Sequence, residues 1–162
     1  MDGPGTITWE EFLGDAEKFV QMSNYISDGW DLRGNKNIPD PFEATCPIER
    51  PLITEHHVLW SMSYSVPVLY FNGWKSDFPG INSISMEEAQ SFVCDRELKY
   101  KDLSQAIHPI LGTPFLYLHP CMSHELLQIT SKSKNKLVSW LSTVAPAALN
   151  LKLRPEYYQL TI

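Results

Sequence analysis

Two apolar stretches lie almost end to end between residues 57 and 71, and their spacing constrains the fold more than any other feature of the chain. Val58, Trp60, Met62, Tyr64 and Val66 alternate with His57, Leu59, Ser61, Ser63 and Ser65. A period of two marks a strand with one buried face. Pro67 interrupts it, Val68-Leu69-Tyr70-Phe71 reads as the next strand, and Asn72-Gly73 closes that strand with a turn signal. Two strands so close in sequence make, most simply, an antiparallel meander.

The period is helical on either side. Thr8 can cap a helix and Glu11, three residues on, completes a capping box. Trp9, Phe12, Leu13, Ala16, Phe19 and Val20 then form one stripe, with Glu10, Asp15, Glu17 and Lys18 on the outer face. This helix should end near Ser23. Residues 27–50 read as loop, rich in Gly, Pro, Asn and Asp, with a short strand possible at Trp30-Asp31-Leu32-Arg33. Residues 75–83 are a further loop, 85–90 a capped helical turn or two, and 95–114 mixed text. Phe115-Leu116-Tyr117-Leu118 is a short apolar run leading into His119-Pro120-Cys121. A helix capped by Ser123 should follow, then a polar break at 131–135. In the last helix Leu137, Val138, Leu141, Val144 and Ala145 share one face, and Pro146 should stop it near Ala145. Residues 151–162 read as an extended tail. The pattern predicts one α+β domain spanning 1–162, an antiparallel meander between an N-terminal helix and C-terminal helices.

Composition narrows the function. A chain of 162 residues with 43% apolar and 20% charged side chains is not disordered. No apolar run approaches the ~20 residues that cross a bilayer, and the N-terminus lacks the basic and apolar regions of a secretory signal. The net charge of −6 argues against a nucleic-acid groove. The charge is uneven: residues 1–100 hold 7 basic and 16 acidic side chains, residues 101–162 hold 6 and 3. Three cysteines, Cys46, Cys94 and Cys121, without a Cys-x-x-Cys pair, fit a reducing compartment and point to the cytoplasm.

Cys121 is the residue with chemical promise. It ends an apolar strand, follows a proline and precedes a helix, where backbone N–H groups favour the thiolate; His119 and His124 flank it. The spacing leaves open a reactive thiolate and a buried cysteine acting as a small hydrophobe. Cys121-x-x-His124 and His56-His57 have ligand-like spacing, but a structural zinc site wants two tight pairs and the second is missing. A cysteine hydrolase would need a histidine base and an orienting group, for which five histidines leave room.

The segment Tyr64-Ser-Val-Pro67-Val-Leu69-Tyr-Phe71-Asn-Gly73-Trp74, then His108-Pro109, then Pro114-Phe115-Leu-Tyr-Leu-His119-Pro120-Cys121, resembles the autophagy conjugating enzymes, distant relatives of ubiquitin-conjugating enzymes. The resemblance covers about residues 55–145. Of the two families, this short chain lacks the long acidic insertion of the protein 3 type and is more similar to the protein 10 type. It implies a ubiquitin-conjugating-enzyme-like fold and a cysteine thioester carrier. The activating enzyme, autophagy-related protein 7, would load autophagy-related protein 12 onto Cys121, and a lysine of autophagy-related protein 5 would accept it. No metal or small cofactor is implied. A lipid-amine acceptor, as in the protein 3 type, and an inert binding module of the same fold are the alternatives.

One departure bears on mechanism. Ubiquitin-conjugating enzymes carry His-Pro-Asn ahead of the cysteine, whereas His108-Pro109 is followed here by Ile110, which has no side-chain donor for an oxyanion. Tyr64, the tyrosine matched to the family, is the candidate replacement, with Asn72 the weaker one; Tyr64 also fits a core-facing place in the alternating set. His119 is a third candidate site residue, and its ring can equally serve to fix the turn.

Overall fold

The computed structural model describes residues 5–32, 42–47, 53–74, 83–86, 89, 103–120, 123–149 and 151–162, with backbone alone at 42–47 and 53. Helix α1 (Trp9–Ile26) begins at the expected capping box: Glu11 N–H donates to Thr8 Oγ1 at 3.1 Å, and Thr8 N–H donates to Glu11 Oε2 at 3.0 Å. It runs three residues past Ser23. Its end is set by Ser27, whose left-handed backbone (φ 57°) turns its N–H back to the carbonyls of Ser23 and Asn24. Ser23 is fully buried, and its hydroxyl accepts the Trp30 N–H at 2.8 Å, fastening the chain beyond the helix.

Six described strands form one sheet in the order β1-β2-β3-β4-β6-β5, every pair antiparallel. They are β1 (Asp31–Leu32), β2 (Phe42–Pro47), β3 (Ile53–Ser61), β4 (Val66–Trp74), β5 (Leu103–Ile107) and β6 (Pro114–Leu118). The β3–β4 meander and the short strand at Asp31 follow the sequence reading. Strands β2 and β5 do not: both lie in text read as loop or mixed, and each pairs antiparallel with the strand that follows it in the chain. The turn assigned to Asn72-Gly73 is also corrected, since both residues sit inside β4, paired with Glu55 and Thr54. Gly73 is there for close approach: a Cβ would fall 2.7 Å from Leu149 Cδ1 and 2.8 Å from Ile84 Cδ1.

The helices that follow are α2 (Ser123–Ile129) and α3 (Lys136–Val144), with 3₁₀ turns at Ala145–Ala147 and Pro155–Thr161. The last of these replaces the second half of the expected extended tail. Ser123 is the first residue of α2, and its buried hydroxyl accepts from Trp140 Nε1 at 3.0 Å. Of the helix expected over 85–90, Met86 and Ala89 are helical and the rest lies outside the described residues. No described helix is long and apolar enough to cross a membrane.

The helices do not sandwich the sheet as expected; both groups cover the same face. Trp60 donates its indole N–H to Ile7 O at 2.8 Å and packs on Trp9, while His56, two positions away on that face, bonds Ala148 O at 2.9 Å. Phe12, Ala16 and Phe19 of α1 meet Leu137, Val138 and Leu141 of α3 over Val58, Leu69 and Phe71. Asp15, assigned above to the outer face, is buried here and accepts the Leu137 N–H at 3.3 Å.

Candidate active site

The alternation in β3 correctly marks a strand but misstates its faces and its end. Val58 is fully buried as expected, yet His57 and Leu59 on the opposite face are buried too, at 0% and 8% exposure. The strand stops at Ser61. Met62 and Tyr64 therefore leave the expected inward row and sit in the 62–65 turn, 74% and 47% exposed. Ser65 takes the left-handed conformation there (φ 52°), and its carbonyl accepts the Ile7 N–H at 2.8 Å. The segment before α1 thus pins the turn that carries Tyr64.

That turn lines a pocket of about 390 Å³ on the face of the sheet opposite the described helices. Leu59 and Val68 contribute its apolar part, Tyr70 and Tyr117 its aromatic part, and His119 and Pro120 also line it. The rings form a continuous series: Tyr70 stacks on Tyr117 at 5.5 Å, Tyr117 lies 6.1 Å from His119, and His119 lies 6.4 Å edge-on to Tyr64. Tyr64 and His119, separated by 55 positions, are thereby brought together. Cys121 and Cys94 lie outside the described residues, as does the side chain of Cys46; Pro120 immediately precedes Cys121 in the chain. Asn72 stands apart from this pocket, donating to Pro114 O at 3.3 Å.

A second constellation was not foreseen. His56 and His57 point to opposite faces of β3, so they do not converge as ligands. His57 Nδ1 instead meets His108 Nε2 at 3.0 Å, and His57 Nε2 meets Glu55 Oε1 at 2.8 Å. His108 Nδ1 accepts the N–H groups of Ile110 and Leu111 at 3.2 and 3.1 Å. The backbone donor of Ile110 is thus already committed. The hydrogen bond from His57 holds the Glu55 carboxyl below its usual range, and burial pushes His108 down to about 4. Alternate spacing of Glu55 and His57 on one strand was the available signal; their partner lies 51 residues away from His57. Among the described residues no three His, Cys, Asp or Glu side chains converge as metal ligands.

A sheet with its described helices on one face and an aromatic pocket opening beside a His-Pro step on the other is the frame of a ubiquitin-conjugating-enzyme-like domain. The family model described as "Autophagocytosis associated protein, active-site domain" matches residues 35–153. The human ubiquitin-like-conjugating enzyme ATG10 is 38% identical, with 89% of this chain and 92% of that protein covered. The proteins of the same name from Arabidopsis thaliana and Dictyostelium discoideum are each 30% identical. Those alignments cover 56% and 63% of this chain, and about half the length of each relative, 46% and 52%. The chain belongs to this autophagocytosis-associated family and is a ubiquitin-like-conjugating enzyme of autophagy.

Proposed function

We propose that Cys121 carries the ubiquitin-like protein as a thioester, and that residues 1–162 act as one catalytic domain. The observation that carries this reading is that the family match runs through His119-Pro120-Cys121. In the first step the Cys121 thiolate attacks the thioester carbonyl presented by the activating enzyme. A new C–S bond forms, and the activating enzyme's sulfur leaves as a thiolate. In the second, a lysine amine attacks the same carbonyl, the isopeptide C–N bond forms, the Cys121 thiolate leaves and the amine proton passes to solvent. A thiolate suits both steps, as a good nucleophile and a good leaving group. The cargo is autophagy-related protein 12, the activating enzyme autophagy-related protein 7, and the acceptor autophagy-related protein 5, in the cytoplasm. Tyr64 donates a hydrogen bond to the tetrahedral oxyanion in place of the asparagine that Ile110 displaces, and His119 orients the approach to the sulfur. The ring series linking Tyr64, His119 and Tyr117 supports their acting at one centre.

The test is incubation of the protein with the activating enzyme, ATP and candidate ubiquitin-like proteins, read on a non-reducing gel. Cys121→Ala abolishes the reductant-sensitive adduct, Cys46→Ala and Cys94→Ala keep it, and Cys121→Ser traps a more stable oxyester. An adduct that survives in Cys121→Ala refutes the assignment.

A further inference from the structure

The Glu55–His57–His108 chain lies on the pocket side of the sheet with both imidazoles buried and the Glu55 side chain 31% exposed, and its hydrogen bonds dictate where every proton sits. Two backbone N–H groups point at His108 Nδ1, so that nitrogen must be bare and the ring proton must sit on Nε2. That proton points at His57 Nδ1, which must therefore be bare in turn. The His57 proton is left on Nε2, where it meets the Glu55 carboxylate. The order runs without choice from the backbone at 110 and 111 to a carboxylate on β3. One further proton on either ring sets two N–H groups against each other and breaks a link, either between the two rings or between His108 and its turn.

What the chain holds is a wall of the pocket. His108 opens the 108–113 turn: its N–H donates to Thr113 O at 2.8 Å, and Gly112 N–H returns to His108 O at 2.9 Å. Pro109 in that turn lines the pocket, as does Tyr70, whose ring centroid is 5.2 Å from that of His108. Phe115 packs against both imidazoles, at 5.2 and 4.9 Å. We propose that Glu55 and His57 are positioning residues for conjugation: acting through His108, they hold Tyr70 and Pro109 against the pocket beside His119-Pro120, and a proton added to the chain releases that wall, so that transfer weakens in mild acid. This rests on the reading that the reaction runs at Cys121.

Other titratable groups stand around the chain. From β4 and β6 come Tyr70 and Tyr117, and burial pushes the Tyr70 hydroxyl up and keeps it neutral. His56 is on the far face, bonded to Ala148 O. The sign follows from His108, whose value of about 4 lies below the ordinary 6.5. The closed turn is undiminished above about 6.5 and loses up to about tenfold per pH unit, relative to an open turn, as pH falls toward about 4.

The full chain, loaded as the Cys121 thioester, is discharged onto its acceptor in single turnover from about pH 5 to about pH 8, across the titration range of histidine. Each variant's rate is taken as a ratio to the parent at the same pH, which cancels the acceptor amine's own titration. Glu55→Ala slows discharge about tenfold at neutral pH, the scale of a small misplacement of a reacting group. Glu55→Gln, whose amide oxygen still accepts from His57, recovers to within about threefold. His108→Asn, whose side-chain oxygen can still accept from the N–H groups of the turn, gives a ratio to the parent that rises as pH falls, because no imidazole is left there to take up a proton. Histidine ¹⁵N spectra of the unloaded protein show bare Nδ1 and protonated Nε2 on both rings. Discharge of Glu55→Ala at the parental rate, a His108→Asn ratio flat with pH, or a proton on either Nδ1 overturns the proposal. Failure of the parent to load at Cys121 refutes the reading of the reaction instead, and the ¹⁵N pattern still decides the chain.

Discussion

Replacing Asn135 should loosen the helical layer from its anchor, and the structure gives the size of the effect. Asn135 is fully buried and has two distinct jobs. Its side-chain oxygen caps α3 by accepting the Val138 N–H at 3.0 Å, and its amide nitrogen donates to Asp15 O in α1 at 3.1 Å, 120 residues away. The Asp15 carboxylate reinforces the joint through Leu137 N–H; burial, partly offset by that bond, raises its pKa. Asn135→Ala loses a cap, about 1 kcal/mol, and leaves buried polar groups without partners, about 1–3 kcal/mol. The total is about 2–4 kcal/mol, roughly a 5 to 15 °C fall in Tm for a chain of this size. Asn135→Ser separates the jobs, because a serine hydroxyl caps α3 but does not reach Asp15; it should recover about 1 kcal/mol. Urea unfolding of the parent, Asn135→Ala and Asn135→Ser measures all three. An alanine variant as stable as the parent, or a serine variant no better than alanine, would refute the two-part account.

Acid should destabilise the fold through His56, which burial holds at about 4 against an ordinary 6.5. Between those values the unfolded chain takes up a proton the folded one refuses, a loss reaching roughly 3 kcal/mol. In His56→Gln, which still donates to Ala148 O, the drop in urea stability from about pH 7 to about pH 4.5 should be visibly smaller; an unchanged pH slope would show that another group is responsible. Met62→Asp in the exposed turn should cost no more than about 0.5 kcal/mol, while Val58→Asp buries an unpaired charge and should unfold the protein; equal melting of the two variants would contradict the register. Tyr64→Phe should load normally but discharge at least about tenfold more slowly, since even half of the ~3 kcal/mol of an oxyanion donor is worth that much; parental discharge would remove the hydroxyl from the mechanism.

Patterns closed within a few residues were legible in the sequence. The capping box at Thr8 and Glu11 sets the start of α1, because donor and acceptor are three positions apart and need nothing else. The β3–β4 pairing was readable because a short connection makes antiparallel pairing the simplest route. The strand that leads into His119-Pro120 was readable from its apolar run, Phe115 to Leu118. Tertiary structure decided everything that depends on a remote partner. Strand β6 takes its place against β4, pairing Tyr117 with Tyr70 far back in the chain. Asp15 is drawn inside because Leu137 and Asn135 bring it hydrogen-bonding partners across the helical layer. A period of two shows that a strand has two faces, but not what covers them: His57 is buried because the Phe115 ring and His108 at the start of the 108–113 turn meet it on the face that alternation had assigned to solvent. His57 and His108 became one chain for the same reason. Burial and tautomer are set by the groups a side chain meets, and those groups arrive from segments whose proximity only the folded sheet creates.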